Sequence, residues 1–195
     1  MSNPNFSSEI KESEAIKQNV VTLLTKYSIP FEKWGQGSAK TLQHLIKEVL
    51  AGETVLEESP EGLARKLSIT YIDIFFTDAA GKTWKLVEEK QIFKDGRERR
   101  RNLDGSIAEK LKAGEMPDQK MVDRAIQEEL AIEGGVPTHP NGSREITEDS
   151  PSYPGLTMKA TNYYFEGSLN QTQFRPEGYI EHQTDKDNYF VWKEI

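Results

Sequence analysis

The stretch from Asp118 to Glu133, DQKMVDRAIQEELAIE, limits what this chain can fold into more than any other. It reads as one helix. Asp118 follows Pro117 and supplies an N-cap, the interior is made of good helix formers, and the Gly134-Gly135 pair supplies a stop. Val122, Ala125, Ile126 and Leu130 fall on one stripe at helical spacing, so one face must be buried. Winding at about 100° per residue sets Glu129 inside that stripe, between Ala125 and Ile126. Glu128 lies toward its edge, and Arg124 stands one turn earlier. A carboxylate on a core-facing side is costly unless it is paired or holds a cation. Two readings follow. Arg124 and Glu128, spaced i, i+4, form a surface ion pair worth a few tenths of a kcal/mol and Glu129 turns out at the rim. Alternatively, the carboxylates are there to hold a charged partner.

The rest of the chain must build what that stripe packs on. A first helix is expected from Ser7 or Ser8 to before Pro30, with Ile16, Val20, Leu23 and Leu24 inward. A second is expected from about Ser38, with Leu42, Leu45, Ile46, Val49 and Leu50 as its buried stripe and Gly52 as its stop. These helices form an N-terminal extension, residues 1–58, that packs on the sheet or makes a homodimer contact. From residue 59 the pattern changes. KLSITYIDIFFTD is a strand apolar on both faces and so expected to be covered on both sides, apart from Asp73. Asp78 to Lys82 is a hairpin turn and TWKLVEEKQIF the return strand. A charged, glycine-punctuated connection leads to the central helix. Residues 134–155 carry the turn signals GGVP, HPNG and SPSYPG and read as a long loop with at most a short strand. Met158 to Phe165 and Asn188 to Trp192 complete the strands. Strands before and after one helix, without β-α alternation, imply an α+β fold: a mixed sheet between helices over residues 59–195.

Composition narrows the function classes. The chain has no cysteine, which excludes disulfides, thiolate metal sites and a cysteine nucleophile. Its formal net charge of −7 argues against bulk nucleic-acid binding and against an anionic membrane surface. No apolar run is long enough to span a bilayer and no signal core is present, so a cytoplasmic protein is expected. His44, His139 and His182 show no ligand spacing. Trp34, Trp84 and Trp192 are expected in the core. Arg97, Arg99, Arg100 and Arg101 make a basic run in an acidic protein. They would either contact phosphate or form a solvated strand edge paired with Glu88, Glu89 or Glu98.

Gly114-Glu115, followed by Arg124-Ala-Ile-Gln-Glu-Glu-Leu-Ala-Ile132, resembles the loop-helix signature of the Nudix hydrolases, the Nudix box. Arg124, Ile126, Glu128, Glu129 and Ile132 match its helical part, and Gly114-Glu115 matches the Gly-Glu that closes its loop after one inserted residue. Gly105 stands for the glycine near the loop's start, at a stretched spacing. Two positions depart: Ala125 replaces the first helical glutamate and Ala131 the glycine near the end, where alanine would let the helix continue. The resemblance implies an α/β/α sandwich. It also implies Mg²⁺ or Mn²⁺ held by Glu115, Glu128 and Glu129, with Arg124 orienting the carboxylates and Arg97 to Arg101 holding phosphate. Such ions neutralise charge while water attacks phosphorus. Glu177 and Glu181 lie in the late loop where the family often keeps a further carboxylate. With one carboxylate missing, the expectation is a divergent Nudix-fold protein that binds a nucleotide-diphosphate-type small molecule with weak or no hydrolysis. The alternatives are a Mg²⁺-dependent pyrophosphohydrolase and an interaction protein assembling through the N-terminal helices.

Overall fold

The first two helices form where apolar spacing places them. In the computed structural model, which describes residues 4–37, 39–100 and 105–195, α1 spans Pro4–Lys26 and α2 spans Leu42–Leu50. Thr41 caps α2, accepting from the His44 N–H while His44 returns a side-chain contact to the Thr41 backbone. Ser38, the expected start of this helix, lies outside the described residues. The chain divides into two units, the first comprising residues up to 68 with 112–114 and 145–161.

In this first unit Val20, Leu24, Trp34, Leu45, Ile46, Leu63, Tyr153 and Leu156 make the core. Leu50, expected in the buried stripe, is exposed, whereas Glu48 is buried. The physical reason is an ion pair. Arg65, almost fully buried, donates from Nη2 to Glu48 Oε2 at 3.3 Å and from Nη1 to Ser150 Oγ at 3.2 Å. Lys40 Nζ reaches Glu48 Oε1 at 2.7 Å. Turning Glu48 inward rotates the opposite rim, with Leu50, to solvent. A hairpin that the sequence reading left unassigned joins β1 (Val55–Ser59) to β2 (Gly62–Thr77), pairing Val55 with Lys66 and Ser59 with Gly62.

The second unit holds residues 69–111, 115–144 and 162–195. Its strands are the remainder of β2, β3 (Thr83–Phe93), β4 (Glu98–Arg99), β5 (Ile107–Lys110), and parts of β6 (Thr138–Asp149) and β7 (Thr157–Ser168). β8 (Tyr179–His182) and β9 (Lys186–Glu194) complete them, and α3 (Gln119–Leu130) is the helix. The strand order is β6-β7-β2-β3-β9-β8, with β4 on β3 and β5 on β2. Tyr71 stacks on Tyr164, and four residues further on the Phe75 carbonyl accepts from Leu169, so β7 advances in the same direction as β2. β3, β5 and β9 pair antiparallel, and the sheet is therefore mixed, as expected. The fold is α+β.

Three expectations change. The loop expected at 134–155 contains the strand β6, almost wholly exposed. It is an edge strand, where Pro140 removes no needed ladder bond and Gly142 is tolerated. β2 is covered unevenly on its two faces: Ile72, Ile74 and Phe76 are buried, while on the other face Leu67 is buried and Ile69, Tyr71, Asp73 and Phe75 stay partly exposed. Finally, α3 ends at Leu130 rather than running to Glu133, because Ala131 adopts left-handed angles (φ 50°, ψ 40°). A continued helix would throw Ile132 about 200° from Leu130; the turn at Ala131 lets both enter the core.

Ala131→Gly should therefore stabilise the protein. A left-handed L-residue costs roughly 1–2 kcal/mol, and glycine gives back roughly 0.5–1 kcal/mol in chain entropy. A net gain of about 0.5–1 kcal/mol is expected in urea unfolding; a loss would mean the turn is not strained. A second expectation concerns alkali. Tyr179 donates its hydroxyl to the Gln173 carbonyl at 2.6 Å, and burial pushes its ionisation up to about 12. Because the folded phenol is harder to ionise than the unfolded one, this contribution is complete below about pH 10. It should be lost as pH rises toward about 12, and Tyr179→Phe should flatten that part of the stability profile.

Candidate functional site

The loop that leads to α3 is laid against β2 by a glycine. A Cβ on Gly105 would stand 3.1 Å from Tyr71 Cβ and 3.2 Å from the Ile72 nitrogen, so the close approach favours glycine. Ser106 follows and is fully buried, its hydroxyl accepting from the Ile74 N–H at 3.0 Å and donating to the Leu86 carbonyl. β5 then pairs with β2, Ile107 opposite Ile72 and Lys110 opposite Ile69, which sets Glu109 beside the helix. α3 itself starts as the sequence indicates, with the Asp118 carboxylate accepting from the Met121 N–H at 2.9 Å.

Met121, Val122, Ala125, Ile126 and Leu130 are buried against Ile72, Ile74, Leu86 and Phe190. That packing settles the rotation of the helix. Glu128 is exposed, Glu129 half-buried, and Ala125 only 2% exposed. Arg124 does not close on Glu128 as a simple i, i+4 pair. Its Nη1 reaches back to Glu115 Oε1 at 2.5 Å, and its Nη2 stands 3.9 Å from Glu109 Oε1. The hydrogen bond to Glu115, aided by the charges of Glu115, Glu128 and Glu109, raises the Arg124 ionisation against the opposing effect of desolvation. One guanidinium thus lies between two carboxylates, Glu115 and Glu109. Glu109 lies in what the sequence presented as a mere connection, and its only signal there was alternation in the short run IAEK.

Among the described residues no three His, Cys, Asp or Glu side chains stand together as a metal group. Glu115 is engaged by Arg124, and the missing helical carboxylate is replaced by an alanine inside the core. The basic run is split. Arg97 pairs with Asp95 at 2.8 Å and lies over the Phe93 ring. Arg100 pairs with Glu98 at 2.8 Å and approaches Glu89 at 3.9 Å. Arg99, on β4, is opposite Gln91 and exposed. Arg101 lies outside the described residues. Glu177 is exposed, whereas Glu181, expected in a loop, is on β8 and accepts from Gln183 at 2.6 Å and from Asn188. The histidines stand apart: His44 caps α2, His139 is 3.5 Å from Glu166, and His182 is 3.0 Å from Asp187.

No family model matches the sequence, and no curated protein sequence does. Solved structures that resemble the chain include the NUDIX domain of Shewanella oneidensis NrtR complexed with ADP ribose. It has TM-score 0.41 and 8% identity, covering 70% of this chain and 77% of that one. Another is the C. elegans Ap4A hydrolase, with TM-score 0.37 and 12% identity, covering 66% and 80%. A third is DR0079 from Deinococcus radiodurans, with TM-score 0.34 and 15% identity, covering 71% and 73%. All three TM-scores are below 0.5, too low to carry a conclusion about this chain.

The placement of Ala125 is directly testable. Ala125→Glu would put a carboxylate into the core and should destabilise the protein by about 3–5 kcal/mol, the scale of an uncompensated buried charge. Millimolar Mn²⁺ should not restore the loss. Recovery with Mn²⁺, followed by chemical denaturation, would show that position 125 opens onto the carboxylates and that the alanine is not a core residue.

Proposed function

We propose that the chain binds a nucleotide-diphosphate-type small molecule with weak or no hydrolysis, and that the second unit is the binding unit. The observation that carries the loss of turnover is the Arg124–Glu115 pair beside a buried Ala125. A divalent ion in phosphoanhydride hydrolysis neutralises phosphate charge and supplies an activated water. In this chain Glu115, one of the side chains that would hold it, is drawn onto Arg124 instead. The loop-helix string from Gly114 to Ile132, with Arg124, Glu128 and Glu129 in place, supports the ligand class.

Recognition of the diphosphate falls to the guanidinium groups of Arg97, Arg99 and Arg100, with Arg101 next in the chain. Their ion pairs to Asp95, Glu98 and Glu89 are exposed and individually worth little. A doubly or triply charged phosphate chain offers bidentate contacts that replace them at small cost. Such binding is electrostatic, so it weakens with salt.

Calorimetry with ADP, ADP-ribose and Ap4A, at low and at physiological salt, tests this reading. At least one should bind saturably, several-fold more weakly at the higher salt, and Arg97→Ala combined with Arg99→Ala should weaken it about tenfold, the loss of roughly 1.4 kcal/mol. No product should form with millimolar Mn²⁺. Absence of heat with all three removes the ligand class, and metal-dependent cleavage would replace binding by pyrophosphohydrolysis.

A further inference from the structure

The sheet of the second unit carries a second polar group, on β3, β8 and β9. On β9, Asn188 is paired with Gln91 of β3 on one side and with Glu181 of β8 on the other. Directly opposite residues share a face, so these three side chains stand in one row, which the exposed Arg99, opposite Gln91 on β4, extends at its outer end. Glu88 joins them through an irregularity. Glu88 pairs with Phe190 and Lys90 with Tyr189, so Glu89 is an extra residue. Without that bulge, residues 88 and 91 would point to opposite faces; with it they point to the same one. Gln91 Nε2 accordingly donates to Glu88 Oε2 at 3.3 Å.

Carboxylates only accept hydrogen bonds, and this orients both amides. Gln91 gives its NH₂ to Glu88, and Asn188 gives its NH₂ to Glu181. The two amide oxygens are therefore what remains, and neither Gln91 Oε1 nor Asn188 Oδ1 has a hydrogen-bond partner. Both residues are deeply buried, Gln91 at 0% and Asn188 at 3% exposure. Lys186, next along the same face of β9, does not donate to either oxygen. A buried acceptor left unmade costs roughly 1–3 kcal/mol, and two on adjacent strands also repel one another.

We infer that Gln91 Oε1 and Asn188 Oδ1, flanked by Glu88 and Glu181, bind a hard cation. Nothing but a donor or a positive charge satisfies two acceptors, and the neighbouring carboxylates favour charge over neutral water. Amide carbonyls combined with carboxylates are oxygen ligands of the kind Ca²⁺ accepts, Mg²⁺ less readily because of its stricter octahedral demand. This site is independent of the nucleotide reading and uses none of Glu115, Glu128 or Glu129.

The test uses the full chain stripped with a chelator, then given Ca²⁺, Mg²⁺, Mn²⁺ or K⁺ singly. One of these should raise the unfolding midpoint saturably, and equilibrium dialysis should find it bound at one equivalent. Tb³⁺ should show luminescence sensitised by Tyr179 or Trp192, which lie on the same sheet face. Asn188→Leu and Gln91→Met should weaken the ion's binding at least tenfold; in the stripped protein, removal of the unmade acceptor is opposed by loss of the amide donors to Glu181 and Glu88. If those variants fail to fold, Asn188→Asp, which adds a charged ligand, should bind the ion more tightly than the parent. The inference is overturned if no ion shifts the parent's midpoint, if Asn188→Asp binds no more tightly, or if Glu129→Gln abolishes the response while Asn188→Leu keeps it.

Discussion

The seating of Val122, Ala125, Ile126 and Leu130 on the sheet face of Ile72, Ile74, Leu86 and Phe190 governs the chemistry of the second unit. Each large apolar side chain buried there contributes on the order of 1.5–3 kcal/mol, far more than an exposed ion pair. The apolar stripe therefore dictates the helix rotation, and the charged residues take whatever positions are left. Glu128 is carried to solvent, Glu129 to the rim, and Arg124 to a half-buried place from which it reaches Glu115 and Glu109. The same priority explains the exit from the helix. Burying Ile132 outweighs the strain of a left-handed alanine.

Along β3 and β9 one sheet face changes character. Leu86 opposite Trp192 and Glu88 opposite Phe190 begin in the apolar core, whereas Gln91 opposite Asn188 is wholly polar. The bulge at Glu89 marks the change, because it lets two polar residues spaced by three share a face. A regular ladder would have exposed one of them to the other side of the sheet.

In the first unit a buried ion pair takes the comparable position. Glu48 and Arg65 tie α2 to β2, with Ser150 and Lys40 completing their hydrogen bonds and Tyr153 stacked under the guanidinium at 4.8 Å. Such a pair is weak evidence for stability, but losing one member leaves a buried charge without compensation. It specifies the rotation of α2, as Ala125 and Ile126 specify that of α3.

The sequence by itself determined the elements whose signals are local. The 3.6-residue spacing placed α1, α2 and α3. The Asp78–Lys82 turn placed the β2–β3 hairpin, confirmed by the Asp78 carboxylate accepting from Ala80 and Lys82. The aromatic runs placed the cores of β7 and β9. It also singled out Arg124, Glu128 and Glu129, since an acidic residue inside an apolar stripe is visible within one turn. Only the tertiary structure decided what those residues meet. Arg124's partners are Glu115 and Glu109, not the adjacent Glu128. The strands β1, β4 and β8 pair with the strand adjacent in sequence through short turns, whereas β6 survives Pro140 and Gly142 only because it is an edge. Ala131 turns left-handed because of where Ile132 must go. Hydrogen-bond propensity and periodicity act over about four residues, so they are written along the chain. The β3–β9 register and its bulge, and the partners of the Arg124 guanidinium, are set by groups beyond that range, and they acquire definite positions only when the sheet closes.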